Sequence, residues 1–233
     1  MPVGVIVNVI AVFIGTIIGG TIKHILPKHL MDELPKVFGI CSFTIGLMSV
    51  ISVKTLPMVI MAVIIGFSIG ELTHINEHVS HLFSMALKKL PFHIEGNHDE
   101  YMEVYLLVVL MFSMSGTGIF GALSEGMSGD SFVLISKSVL DFFTAILFGA
   151  ALGYAQLLIC VPQFIILILC FLLAQFIIPF TTPTMIADFK ACGGIITMIT
   201  GLTVAKIFKI KAINLIPALV LVMPFVALYQ FIV

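Results

Sequence analysis

One kind of positive charge is missing altogether: the chain contains eleven lysines and no arginine, and only 10% of its 233 residues are charged. Soluble domains carry about 25% charged residues, so water is not the expected solvent for most of this surface. Arginine is the preferred reader of phosphates and bases; its absence, with a formal charge of -1 and a pI near 6.6, excludes nucleic acid as a partner. Cysteine is also scarce. Cys41, Cys160, Cys170 and Cys192 sit in apolar runs without Cys-x-x-Cys spacing, which excludes a disulfide framework and a zinc motif and makes them small packing residues. No nucleotide-binding loop, catalytic triad or His-Glu-x-x-His motif occurs, so no enzyme activity and no cofactor are expected. The N-terminus turns hydrophobic at Val3 with no lysine before it and no small-residue cleavage site after it, so the first helix is expected to stay.

What is abundant is apolar: 60% hydrophobic residues and a mean hydropathy of +1.23. A hydrocarbon core about 30 Å thick needs roughly 20 apolar residues per helix. The runs place spans at 3–22, 35–53, 56–72, 103–123, 132–154, 157–178, 187–206 and 212–231. The expected fold is therefore all-α, a polytopic transmembrane helix bundle of about eight spans, seven being the alternative count. It forms a single integral membrane domain over 1–233: spans 1–3 in 1–72, a cytoplasmic amphipathic segment in 73–102, spans 4–5 in 103–155 and spans 6–8 in 156–233. In the polar break, Ile75, Val79, Leu82, Ala86 and Leu90 recur at helical spacing opposite His and Lys, as in a helix lying at the membrane interface. Alternating the spans gathers Lys23, Lys28, Lys36, Lys88, Lys89, Lys206, Lys209 and Lys211 on one side, leaving Lys54 and Lys190 opposite. Short cytoplasmic loops hold the excess of lysine, which sets both termini outside.

Two patterns bear on how the spans meet. Gly39-Ile40-Cys41-Ser42-Phe43-Thr44-Ile45-Gly46-Leu47 and Gly194-Ile195-Ile196-Thr197-Met198-Ile199-Thr200-Gly201-Leu202 are alike, and each leads to an apolar-Pro pair, Leu56-Pro57 and Ile216-Pro217. That fits an inverted repeat of spans 1–3 in 6–8; a parallel duplication of spans 2–3 into 4–5 is the competing scheme, and both stay open. In addition, Ala11/Gly15/Gly19, Ala62/Gly66/Gly70 and Ala145/Gly149/Gly153 place small residues four apart in spans one, three and five. Such stripes let helix backbones approach closely in lipid, so these three spans are expected at the tight centre of the bundle.

Ionisable residues inside a span are rare and mark candidate sites, because a charge at helix centre costs about 3 kcal/mol on insertion scales. Lys137 and Asp141 are such a pair, spaced to share a face, with Asp141 about 14 Å below the outer end of its span. The functional reading makes Asp141 a cation- or proton-binding carboxylate with Lys137 as counter-ion; the structural one is an ion pair that locks helices together. Ser113, Ser115, Gly116, Thr117, Gly118 and Gly121, followed by Glu125 and Asp130, form the second candidate. Glycine at this density permits non-helical backbone, which at membrane depth lines a wet cavity or is buried in protein. Ordinary helix packing explains the same letters. Cys192-Gly193-Gly194 beside Asp188 and Lys190 is ambiguous in the same way. Asn8 suits an interhelical hydrogen bond or a ligand contact. Glu71, His74, His78 and His81, at i, i+3, i+7 and i+10, could hold a metal or form the polar face of an interfacial helix.

Val7-Asn8 with Gly15-x-x-x-Gly19, Gly66-x-x-x-Gly70-Glu71, Gly129-Asp130, Lys137-Ser138-x-Leu140-Asp141, Ala191-Cys192-Gly193-Gly194 and Asn214-Leu215-Ile216-Pro217-Ala218-Leu219 occur in this order over nearly the whole chain. In these blocks the sequence resembles the YqgA-like family of uncharacterised bacterial membrane proteins, domain of unknown function 554. The resemblance implies a bacterial cytoplasmic-membrane protein of a family described as transporter-like, with no assigned activity, and its pattern lacks the histidines at 74, 78 and 81. The resulting expectation is a transporter or channel for an ion or small solute, the alternative being a non-transporting scaffold or assembly protein. Its partners would be the lipid bilayer and that unidentified solute, with a homo-oligomer left open.

Overall fold

The computed structural model describes residues 1–22, 27–87, 105, 108, 109, 111–113 and 115–232, and the described residues are helical without strands. The helices are α1 (Val3–Ile22), α2 (Lys28–Val50), α3 (Leu56–Leu72), α4 (Ile75–Leu87), α5 (Gly116–Ser128), α6 (Phe132–Leu152), α7 (Cys160–Ile177), α8 (Pro183–Val204) and α9 (Ile216–Ile232). Residues 105, 108, 109 and 111–113 are helical as well. Lys23 and all of 88–104, including Lys88, Lys89 and Leu90, lie outside the described residues.

Among the described residues, four helical runs are long and apolar enough to cross a membrane: Val3–Ile22, Phe132–Phe180, Pro183–Val204 and Ala212–Ile232. Leu56–Leu72 with Ile75–Leu82, bent by 56°, makes a fifth if taken as one span. The described helices thus support four to five spans, and the expected eight is not confirmed. Three causes account for the difference. Phe132–Phe180 is one helical run that the sequence reading divides in two; Lys36–Val50 is apolar but short; and much of 103–123 lies outside the described residues. Within the long run the chain changes course at Gly153, whose φ of 68° is readily adopted only by glycine. A 3₁₀ segment, Gly153–Ile159, then leads into α7.

Glycines set the helix pairings. A Cβ added at Gly15 would stand 2.4 Å from the Phe142 carbonyl oxygen, and one at Gly19 2.2 Å from that of Ile146. Numbers rise together along this contact, so α1 and α6 run parallel, backbone against backbone. Gly149 faces Thr16 in the same seam. The α2–α8 crossing is antiparallel and reciprocal: Gly39 meets the Gly201 carbonyl at 2.4 Å and Gly201 that of Gly39 at 2.5 Å, while Gly46 meets Gly194 at 2.5 Å and Gly194 meets Gly46 at 2.7 Å, each measured from the added Cβ. The two similar nonapeptides are therefore each other's packing surface. The third stripe behaves otherwise than expected. Gly66 and Gly70 approach Ala218 and Asn214 of the α9 end of the chain, not α1 or α6, because a stripe of small residues makes a flat face without specifying what fills it. Gly153 packs against nothing within 4 Å and serves as the turn.

Three apolar clusters fill the spaces between these pairs. Val59, Ala62, Phe120, Phe189, Ile196, Leu219 and Val222 join α3, α5, α8 and α9; Val12, Tyr105, Phe112, Ala145 and Ile159 join α1 to α6 and its 3₁₀ extension; Val5, Leu134, Leu167 and Phe171 close the remaining side. Gly193 lies flat under the Phe120 ring, where a Cβ would come within 2.1 Å of it. The Cys192-Gly193-Gly194 block is thereby occupied by packing on both of its glycines.

Candidate functional site

The segment that reads as one span from 103 to 123 is broken. Residues 111–113 are helical, Ser115 is extended (φ -67°, ψ 137°), and α5 starts afresh at Gly116 with the Ser115 hydroxyl accepting from the Gly118 N–H at 3.0 Å. A serine N-cap satisfies one of the first-turn donors that a new helix leaves without intrahelical acceptors. The start of α5 stands beside the middle of α6, where Lys137 and Asp141 lie. Both are nearly buried, at 5% and 8% exposure, and they form an ion pair on the face the i, i+4 spacing predicts.

Their surroundings form a chain of polar contacts across four elements. The Asn8 amide of α1 donates to Asp141 Oδ2 at 2.8 Å, and Gln163 of α7 donates to Asn8 Oδ1 at 2.8 Å. The Lys137 ammonium stands 5.9 Å from the centre of the Phe112 ring, within cation–π range. Gln156, in the 3₁₀ segment after α6, donates to Thr16 Oγ1 at 3.0 Å and to the Ala145 carbonyl at 3.2 Å. Sequence reasoning missed both glutamines. The available signal was a polar amide in each of two otherwise apolar turns, at 156 and 163, which in a span asks for a partner.

Beside the ion pair lies a cavity of about 60 Å³, bounded by Phe38 and Ser42 of α2, Met111, Ser115 and Thr117 at the break, Lys137, Leu140, Asp141 and Thr144 of α6, and Thr200 and Val204 of α8. That is room for a few waters. Thr117 lines it, and its Oγ1 is buried without a hydrogen-bond partner; Ser113 Oγ and Ser124 Oγ are buried without partners as well. Thus Lys137, Asp141, Ser115 and Thr117 of the expected site converge, with Asn8 behind them.

Glu125 and Asp130 do not join them. The Glu125 carboxylate, 3% exposed, accepts from the Gly4 N–H at 2.7 Å and the Val5 N–H at 3.3 Å, which puts a negative group on the N-terminal end of α1. Asp130 pairs with Lys190 at 3.0 Å. Burial pushes its carboxyl up, but the Phe132 N–H and the Lys190 ammonium outweigh this and hold it below the usual range. Asp188, fully buried, does for α3 what Glu125 does for α1: it accepts from the Lys54 N–H at 2.6 Å, from the Thr55 N–H at 3.0 Å and from the Thr55 hydroxyl. Asp188→Ala strands those donors and is expected to lower stability by about 1–3 kcal/mol, read as the unfolding temperature of the purified protein. An unchanged value would remove the capping role.

Glu71, His74, His78 and His81 do not assemble as a metal site; among the described residues no three His, Cys, Asp or Glu side chains gather closely enough to hold one. The helical face they were read on is interrupted. Leu72 ends α3, His74 takes a left-handed φ of 51°, and α4 departs in a new direction. Glu71 instead accepts from Asn214 Nδ2 at 2.6 Å, and Asn214 Oδ1 accepts from the Asn76 N–H at 2.8 Å, docking α4 onto the start of α9.

Comparison with known proteins gives the same blocks a context. The profile of the family described as protein of unknown function (DUF554) matches residues 3–227. The chain belongs to that family. It is 37% identical over 231 residues to "Uncharacterized protein YqgA" of Escherichia coli (strain K12), covering 96% of each chain. It is 23% identical over 224 residues to "Uncharacterized membrane protein YdfK" of Bacillus subtilis (strain 168), covering 94% of this chain and 93% of that one. No solved structure matches. The family and the apolar helices together make this a membrane-like helical protein of an uncharacterised family.

Proposed function

We propose that the chain is a multi-pass protein of the bacterial cytoplasmic membrane, both termini outside, that moves an ion or small solute through the cavity beside Lys137 and Asp141. The observation that supports this is the cavity itself. A helix broken at Ser115, Thr117 of its first turn and the Lys137–Asp141 ion pair line one cavity of about 60 Å³. Secondary transporters bind substrate at such discontinuous helices, and backbone that is not helical survives at membrane depth where it lines a cavity. The exposed isoleucine, leucine and phenylalanine side chains of α1, α3, α7 and α9 suit a lipid surround. No enzyme chemistry is assigned to the site.

Flux into liposomes containing the purified protein, measured across a panel of ions and small solutes, tests this reading. Asp141→Asn keeps the shape and the hydrogen-bonding capacity toward Asn8 but removes the charge, so it is expected to insert normally and lose ion-coupled flux. A fully active Asn variant would discard the carboxylate's role.

The second reading, a non-transporting scaffold or assembly protein, is favoured by a different observation. The pair is closed, and Asn8, itself held by Gln163, donates to Asp141, as expected of groups that only fix helix packing. Absence of flux for every solute, with an intact Lys137–Asp141 pair, would support it.

A further inference from the structure

The two ends of the chain fold into equivalent pieces that face one another. A shift of 155 positions carries α2 (Lys28–Val50) onto 183–205, where α8 is Pro183–Val204, and α1 (Val3–Ile22) onto 158–177, where α7 is Cys160–Ile177. A shift of 160 carries α3 (Leu56–Leu72) onto α9 (Ile216–Ile232) end for end. Each helix runs against its counterpart. Asn8 meets Gln163 while Thr16 meets Gln156; Gly39 meets Gly201 while Gly46 meets Gly194; Gly66 meets Ala218 while Gly70 meets Asn214. A two-fold axis has a sharper signature, because a residue can touch its own equivalent only on the axis. Two such contacts occur, in separate helix pairs. Gln163 donates to Asn8 Oδ1 at 2.8 Å, the Ser42 hydroxyl donates to the Thr197 carbonyl at 3.5 Å, and both pairs are 155 positions apart. The helices α1–α3 and α7–α9 thus form an inverted repeat, and its axis passes beside the ion pair to which Asn8 donates.

The two sides of that axis are not alike. On one side the cavity is lined by Phe38 and Ser42 of α2 and by Thr200 and Val204 of α8. The same shift carries these four onto Gly193, Thr197, Ile45 and Ser49, and there the space is filled. The Phe120 ring lies on Gly193, 5.8 Å from the ring of Phe189, and Ile45 packs against the same cluster. The filled side is also fastened. Asp188 of α8 accepts from the Lys54 and Thr55 N–H groups before α3, whereas Glu33, its equivalent in α2, is half-exposed and pairs with Lys36 of its own helix. Resting on the transport reading, we propose that the chain is an alternating carrier with a second conformation, the image of this one about the axis. In it the filled side opens around Thr197 and the cavity beside Lys137 and Asp141 closes. Two halves of like build and opposite orientation can exchange shapes at small net cost, which passes access to a central site from one face to the other.

Thr197→Cys supplies the reporter, because Thr197 is fully buried here and in the image conformation takes the cavity-lining place that Ser42 has now. The purified variant in non-ionic detergent is treated with a small water-soluble methanethiosulfonate, and the rate is read at residue 197 by peptide mass spectrometry. The four native cysteines therefore stay. Slow labelling is expected, rising about fivefold when Asp188→Asn takes one carboxylate oxygen from the fastening. Thr144→Phe, added to that variant, props the cavity on the other side of the axis and is expected to return the rate at 197 to the Thr197→Cys level; Thr144→Met serves if the phenylalanine variant does not fold. Local loosening at Asp188 would leave the raised rate untouched by a change across the axis. A rate that Thr144→Phe and Thr144→Met both leave raised, or no labelling at 197 in any variant, overturns the proposal. Liposome flux keeps the two readings apart: coupled labelling without flux for any solute sinks transport alone, and flux without coupled labelling sinks alternation alone.

Discussion

Lys137→Met is expected to lower the unfolding free energy by about 3–5 kcal/mol, and the double replacement Lys137→Met, Asp141→Leu to recover most or all of that loss. The reason is the environment. Both charges lie almost out of contact with solvent, at 5% and 8% exposure, and removing one leaves the other in a low-dielectric interior with only the Asn8 amide to support it. Taking both away removes the desolvation cost along with the attraction. Denaturant unfolding in mixed micelles reads the comparison directly. A single variant as stable as the double would mean that Asp141 is already neutral or hydrated when Lys137 is gone. The same double variant distinguishes the readings of the site: a scaffold keeps its assembly when the pair is replaced by well-packed apolar groups, whereas a transporter folds and carries nothing.

Gly46→Leu is expected to be at least as damaging, about 3 kcal/mol or more. Its added Cβ would stand 2.5 Å from the Gly194 carbonyl oxygen and 2.7 Å from Met198 N, both main-chain atoms that no side-chain rotation can move. The contact is reciprocal, so α2 and α8 have to separate along their length, losing Gly39 against Gly201 as well. Gly129→Asn provides the contrast. Gly129 ends α5 in the left-handed region, which asparagine tolerates, and nothing lies within 4 Å of its would-be Cβ. A melting temperature near the parent's for Gly129→Asn and far below it for Gly46→Leu is the expected outcome; equal shifts would show that the α2–α8 seam yields easily.

Local patterns were legible in the sequence where local physics decides them. Pro57 in the first turn and the polar stretch after Leu72 mark both ends of α3 as read, and the small-residue stripes announce close backbone contact before any partner is known. The Lys137–Asp141 spacing gives the shared face. What was not legible depends on residues far apart in the chain. The stripe of α3 has the same letters as that of α1 yet meets α9, and nothing within Ala62/Gly66/Gly70 encodes the choice. Glu125 and Asp188 read as loop or site acids because the helix ends they satisfy are more than 100 positions away. The break at Ser115 is half legible: serine, threonine and glycine cluster there, but hydropathy continues across them and a window average reads one span.

Those distances also set an order in time. Every polar partner of α1 outside the helix itself comes from much later in the chain: Glu125 for Gly4 and Val5, Asp141 and Gln163 for Asn8, Gln156 for Thr16. At about 5–20 residues synthesised per second, the first helix waits on the order of ten seconds with its amide unsatisfied. α1 is nevertheless fastened before α2 and α3, whose packing partners in α8 and at the start of α9 come later still, and a chain stalled before Glu125 holds none of the four residues that tie α1 down.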